Sequence, residues 1–379
     1  MSTCVMRSVL RSSVFLCALA ACKSGHVVTP KTPGTSSVVA TYPAVTIPVG
    51  DTSRVLRLRI APKSLVGNLL GDTATRTVLV YLPPDYATSG KRYRTVYMLH
   101  GFGQRRNGQN AWLTGYKGFH LGHTMDSLGV AGAVHDLIMI APDASNFYGG
   151  AFYRDSPVTG NWETYIVREL VGTIDATFRT IPKRESRGLI GHSMGGYGTM
   201  SLVAKHPDVF GAAYAMSPCC IAVDENPGES APIWKALLAA PDRPAVISAG
   251  FLGQAFVALG SAYAPNTTKP PLYIDMPVQL VGDRVVAVPS VVAKWKAQAP
   301  LHLLDSLSDN LRTLRAFGFD AGRSDNFRDI PILTPIIDSM LTARKIAHRF
   351  ELYDGDHGNR IAQRLPAIVL PFIDKALAR

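Results

Sequence analysis

Arg187-Gly-Leu-Ile-Gly191-His-Ser193-Met-Gly195-Gly-Tyr-Gly198 is the stretch on which the reading of this chain turns. A short apolar run enters it, a serine stands at its centre, and small residues leave it. Gly191-x-Ser193-x-Gly195 has the spacing of a strand that reverses sharply into a helix with the serine at the apex, a nucleophile elbow. In such a turn the serine backbone is strained, and side chains two positions to either side must be absent or tiny. Plain Gly/Ser turns share this pattern, so the flanking chain decides.

Upstream, residues 76–82 alternate like a strand and stop at Pro83-Pro84. Residues 95–100 are more continuously apolar, as expected of a strand buried on both faces, and run straight into Gly101-Phe102-Gly103. Glycine-rich backbone at the end of a buried strand can turn its N–H groups outward, which suits an oxyanion hole, although a strand-ending turn is the plainer alternative. A polar loop follows, and Trp112 is expected to line a cleft beside it. Residues 137–141 form a third buried strand, ending at Pro142-Asp143. The aromatic- and Asn/Gly-rich loop 144–162 lies where open α/β sheets bind ligands, which makes Trp162 a second expected lining residue.

Ile166, Val167, Leu170, Val171, Ile174 and Phe178 recur at helical spacing. Beyond the elbow the pattern predicts a helix over 196–205, a strand over 210–216, a strand over 315–320, a helix over 336–345 and a last strand over 349–353. An apolar-rich helix interrupted at Pro366 and Pro371 closes the chain. Strands and helices thus alternate with the period of an α/β fold, a mostly parallel sheet covered by helices on both faces. The elbow falls after a strand and before a helix, as it must. Residues 219–311 break the rhythm: they are rich in Pro and Ala, lack clean periodicity, and read as an insertion or cap before the acid-bearing strand. The folded α/β domain is expected to span 51–379.

A serine hydroxyl becomes a competent nucleophile when an imidazole removes its proton, and a carboxylate fixes the imidazole tautomer. Ser193, Asp325 and His357 appear in the order serine, acid, histidine, each at the carboxyl end of an expected parallel strand. Asp320, at the end of the preceding strand, is the alternative acid. His192 is expected to leave the turn on the opposite side and to be structural, and His100 and His206 to pack or cap. Backbone N–H groups of Phe102 and Met194 are the candidate oxyanion donors. No metal or cofactor is implied.

The first fifty residues do not belong to this core. Arg7 and Arg11 precede a short apolar run over 13–21, too short for a permanent membrane span, and Leu19-Ala-Ala-Cys22 closes it. Residues 1–22 therefore read as a secretory signal of lipoprotein type, with Cys22 the expected lipidated residue and a membrane the partner of that anchor. An ordinary cleavage site with an incidental cysteine is the alternative. Residues 23–50, rich in Thr, Ser, Pro, Val and Gly, read as a flexible tether. Export to the bacterial envelope or medium follows. Of the five cysteines, Cys219-Cys220 are adjacent, which permits a vicinal disulfide, but two small buried residues after a strand are commoner. The net charge of +11 includes Arg7 and Arg11 and is spread along the chain, so a solvated basic surface explains it. No motif supports nucleic-acid binding, and oligomeric state is not readable.

His100-Gly-Phe-Gly, Gly160-Asn-Trp-Glu-Thr-Tyr, the elbow, Asp320-Ala-Gly-Arg-Ser-Asp325 and Tyr353-Asp-Gly-Asp-His357-Gly together resemble the putative esterase family of α/β-hydrolases. That family contains esterase D/S-formylglutathione hydrolases, feruloyl and acetyl-xylan esterases, and antigen 85 mycolyltransferases. The resemblance spans roughly residues 77–359. It implies Ser193 as nucleophile, His357 as base, Asp325 as acid, and a small-molecule or polysaccharide-linked ester as substrate. Transfer of the acyl group to a sugar hydroxyl, or a non-catalytic envelope- or carbohydrate-binding role, are the rival expectations. The leader and tether set the chain apart from the cytosolic glutathione branch.

Overall fold

The computed structural model describes residues 54–103, 108–113, 116–223 and 225–378. The signal, Cys22 and tether readings lie outside these residues. Among the described residues no helix is long and apolar enough to cross a membrane.

Eight strands make one sheet: β1 Val55–Ile60, β2 Arg76–Tyr81, β3 Arg94–Leu99, β4 Leu137–Pro142, β5 Arg187–His192, β6 Ala212–Met216, β7 Ala316–Gly322 and β8 Arg349–Tyr353. Their spatial order is β1-β2-β4-β3-β5-β6-β7-β8. From β4 to β8 every pairing is parallel, while β2 runs antiparallel to both β1 and β4. This is the α/β-hydrolase architecture.

The apolar strands divide their side chains between two cores. In β3, Tyr97 and Leu99 enter one cluster and Val96 and Met98 the other; in β4, Ile138 and Ile140 oppose Leu137 and Met139. The period of two explains why these strands read as unbroken apolar runs: both faces are buried. One face is covered by α1 Leu121–Val130 and the C-terminal helix, the other by the helices after β4 and β5.

Several boundaries differ from those the sequence suggests. The helix after β7, Asp329–Ala343, begins ahead of residue 336 and passes through Pro335. That proline lacks the N–H that would reach back to residue 331, so the loss falls in the helix's first turns. The closing helix likewise persists through Pro366 by widening into a π-turn over Leu365–Val369. The described residues of the 219–311 segment include helices at Ala231–Leu238, Gly250–Tyr263 and Pro289–Lys296, and an antiparallel ribbon pairing Val278–Val281 with Arg284–Ala287.

Candidate active site

The reversal between β5 and the next helix, Met194–Lys205, carries Ser193 in the left-handed region, at φ 58° and ψ −117°. The two flanking glycines are required by close backbone approach. A Cβ on Gly191 would stand 2.2 Å from the Gly195 carbonyl oxygen, and one on Gly195 would stand 2.2 Å from that of Leu99. Backbone cannot step aside as a flexible side chain can. The strained serine is pinned on both sides: its N–H donates to the Met216 carbonyl at 3.0 Å and its carbonyl accepts from Tyr197 N–H at 2.9 Å.

Asp325 follows β7 and His357 follows β8, so the parallel pairing of these strands brings two distant loops to one sheet edge. His357 Nε2 lies 2.9 Å from Ser193 Oγ, and His357 Nδ1 lies 2.7 Å from Asp325 Oδ2. The other Asp325 oxygen accepts the Phe327 N–H at 2.9 Å. With the Asp325 side chain fully buried, its carboxylate orients the ring so that Nδ1 carries a proton and Nε2 offers a lone pair to the serine hydroxyl. The turn that holds His357 is itself shaped by Asp356, whose carboxylate accepts the N–H groups of Gly358 and Asn359 at 2.8 and 2.7 Å.

Asp320 is engaged elsewhere. Its Oδ2 accepts from Arg364 Nε at 2.9 Å and from Tyr214 O–H at 3.1 Å, beneath the site. Burial raises its carboxyl to about 6 against the opposing pull of the Arg364 guanidinium.

His192 plays a part the sequence did not reveal. Its Nε2 is 2.6 Å from the His357 carbonyl, which can only accept, so Nε2 carries the proton. Its Nδ1 then accepts from the Tyr116 hydroxyl at 3.2 Å. The histidine beside the serine thus fixes the backbone of the histidine that faces it. His100 acts similarly on the loop after β3: Nδ1–H donates to the Gly101 carbonyl at 2.8 Å, and Nε2 accepts the Ala144 N–H at 2.9 Å. This bond shapes the turn that carries Phe102, whose ring lines the cavity beside Ser193. His206 caps Glu163 at 2.8 Å.

Both buried histidines are neutral. Burial lowers the pKa of His100, and it lowers that of His192 well below the usual value, with the neighbouring His357 ring opposing a second positive charge beside it. The unfolded chain takes up these protons near pH 6.5, so the stability they confer is complete above that pH and is lost as the pH falls below it. We expect the unfolding free energy to fall between pH 7 and pH 5, by up to about 1.4 kcal/mol per pH unit for each histidine. Urea titrations across that range should show a shallower slope for His100→Gln; an unchanged slope would overturn the assignment.

Ser193 opens into a cavity of about 460 Å³. Trp112 and Trp162 do not line it, contrary to expectation. Trp112 is buried on the other side of the sheet, edge-on to Tyr116 and Phe119. Trp162 is buried with its Nε1–H donated to the Thr159 carbonyl at 2.8 Å and the Arg76 guanidinium over its ring at 4.6 Å. An aromatic next to a polar loop can serve core or cleft equally, and here both serve core. The cavity's aromatic side chains are instead Phe102, Phe152 and Phe327, with Trp234, Phe251, Phe256, Tyr263 and Trp295 from the insertion. Cys219 and Cys220 also face it as two free thiols, with Sγ atoms 2.9 Å apart.

Residues 73–363 match the family model described as "Putative esterase". The chain belongs to that family. A Mycobacterium tuberculosis esterase is 33% identical over 147 residues, covering 37% of this chain and 28% of that protein. The S-formylglutathione hydrolase of Rattus norvegicus is 31% identical over 109 residues, covering 24% of this chain and 38% of the relative. The chain thus spans about a quarter to two fifths of the length of these curated relatives. Among solved structures, a ferulic acid esterase aligns over 85% of this chain and 97% of its own, with 20% identity and a TM-score of 0.58. An S-formylglutathione hydrolase from Agrobacterium tumefaciens aligns over 88% and 99%, with 16% identity and a TM-score of 0.57. At these identities the structural likeness speaks for the fold.

Proposed function

We propose that this member of the esterase family is a serine carboxylic-ester hydrolase that works through Ser193, His357 and Asp325. The observation that carries the reading is the unbroken line Ser193 Oγ, His357 Nε2, His357 Nδ1, Asp325 Oδ2, with spacings of 2.9 and 2.7 Å at its two hydrogen bonds. In the first step Ser193 Oγ attacks the ester carbonyl carbon while His357 Nε2 takes the hydroxyl proton. Negative charge collects on the former carbonyl oxygen, where the N–H groups of Phe102 and Met194 are the assigned donors. The C–O bond to the alcohol then breaks as His357 returns its proton to the departing oxygen. This leaves an acyl-serine, which water hydrolyses by the same sequence with His357 as base. Asp325 stays ionised throughout and stabilises the imidazolium.

A fluorophosphonate tests the assignment. One adduct per chain, on Ser193, with parallel loss of nitrophenyl acetate hydrolysis is the expected result. Absence of both labelling and hydrolysis would favour a binding protein on a hydrolase scaffold.

A further inference from the structure

The cavity beside Ser193 is far larger than a small acyl group needs. At about 460 Å³ it could hold roughly fifteen waters at the ~30 Å³ each occupies in the liquid, whereas an acetyl methyl replaces about one. Its wall is mostly apolar, with aromatic side chains at both ends. Beside Ser193, Phe327 packs edge-on to His357 at a centroid distance of 4.7 Å, and the wall continues from Phe327 to Phe251 at 6.0 Å and to Phe102 at 5.4 Å. At the other end, contributed by the insertion, Trp234 stacks on Phe256 at 4.4 Å and 8°, with Trp295 edge-on to Trp234 at 6.2 Å. Of the carboxylates on the lining, Glu225 is exposed and pairs with Lys296, while burial raises the Asp329 carboxyl near Asp325 and His357. Phe251 and Leu252, 47% and 41% exposed, carry the apolar surface out to solvent. Water in such a space finds few partners, and a hydrocarbon gains by displacing it.

We propose that the acyl half of the substrate is an extended hydrocarbon chain of about eight carbons or more. It lies in this cavity with its ester carbonyl at Ser193 and its tail against Trp234, Phe256 and Trp295. The proposal rests on the esterase reading and adds the acyl specificity to it. The specificity-determining residues then come from the 219–311 segment rather than from the sheet. A methylene moved from water into such a wall is worth roughly fourfold in binding, by the usual transfer scale. Not all six added methylenes of octanoate will be fully buried, so kcat/KM should rise by about a hundredfold from acetate to octanoate.

Ala255, on the helix Gly250–Tyr263, lines the cavity and faces its lumen with only a methyl group. Ala255→Phe should fill that space. The experiment measures kcat/KM for nitrophenyl acetate, butyrate, octanoate and decanoate, and for methyl ferulate, in the wild type and in A255F. The expected result is a rising chain-length profile in the wild type. In A255F the ratio of octanoate to acetate kcat/KM should fall at least tenfold. A thermal melt matching that of the wild type reports that the variant is folded. A second measurement needs no variant: a long-alkyl fluorophosphonate should inactivate the wild type much faster than an ethyl one.

A flat profile, or equal inactivation by both probes, would overturn the acyl proposal while leaving the esterase reading intact. A preference for ferulate over octanoate would replace the chain with an aromatic acyl group. Failure of every ester together with failure of the probe to label would remove the esterase reading, and the acyl proposal with it.

Discussion

Replacing Ser193 with alanine should lower kcat for a short-chain nitrophenyl ester by about 10⁶-fold, the size of the loss when a triad nucleophile is removed. The physical reason is that the attack then falls to water, which His357 does not hold in position. Some acceleration should survive, because the oxyanion donors and the binding cavity are untouched. Stability should change little. Ser193 Oγ hydrogen-bonds to His357 Nε2, and the strained backbone at φ 58° is fixed by the clearances around Gly191 and Gly195, which alanine at 193 leaves alone. The check is single-turnover kinetics beside a thermal melt. An intact melt with undiminished hydrolysis would remove Ser193 from the mechanism. The same variant should lose all fluorophosphonate labelling, which excludes a contaminating hydrolase as the source of residual activity.

The elbow was readable from sequence because its chemistry is local. The turn demands glycine at 191 and 195, and those clearances leave a mark in the chain whatever surrounds them. The strand over 349–353 was equally plain, since Arg349–Tyr353 is bounded by a helix stop and a Gly/Asp turn. Elements whose stability comes from tertiary packing were not readable. The helix Leu121–Val130 contains two glycines and weak helix formers, and is held by burial of Leu121, Met125 and Leu128. The helix Gly250–Tyr263 likewise carries internal glycines, at 253 and 260, so its period is blurred although residues from Val257 to Tyr263 are buried.

The same distinction holds within the site. Ser193, Asp325 and His357 announce themselves by residue type and order along the chain. The hydrogen bond from His192 to the His357 carbonyl joins residues 165 positions apart through a backbone oxygen that every residue possesses, so no sequence signal marks it. The cavity wall is subject to the same limit. Trp234 and Trp295 are ordinary aromatics in an irregular segment until folding sets them 6.2 Å apart, and Trp112 and Trp162 are equally ordinary until it buries them.

Two carboxylates competed for the role of acid, and their variants should fail in opposite ways. In Asp325→Asn the amide oxygen can keep the Phe327 N–H, which leaves the NH₂ group facing His357 Nδ1. That nitrogen must then accept, the ring proton moves to Nε2, and Ser193 meets a donor where it needs a base. The expected cost is about 10⁴-fold in kcat, as for the corresponding change in a serine protease, with little loss of stability. Asp320→Asn keeps the shape but removes the charge facing Arg364, a guanidinium whose side chain is only 10% exposed and which retains Glu351 at 2.9 Å as its remaining partner. A buried cation that loses a partner costs several kcal/mol, about 3–5 where pairs of this kind have been broken. The folded fraction should nonetheless turn over ester within about tenfold of the wild-type rate, because Asp320 lies outside hydrogen-bonding contact with His357. Denaturant midpoints and kcat, measured on both variants, separate the two roles. Should Asp320→Asn instead abolish turnover in a protein of unchanged stability, while Asp325→Asn remains active, the acid would have to be reassigned to the end of β7.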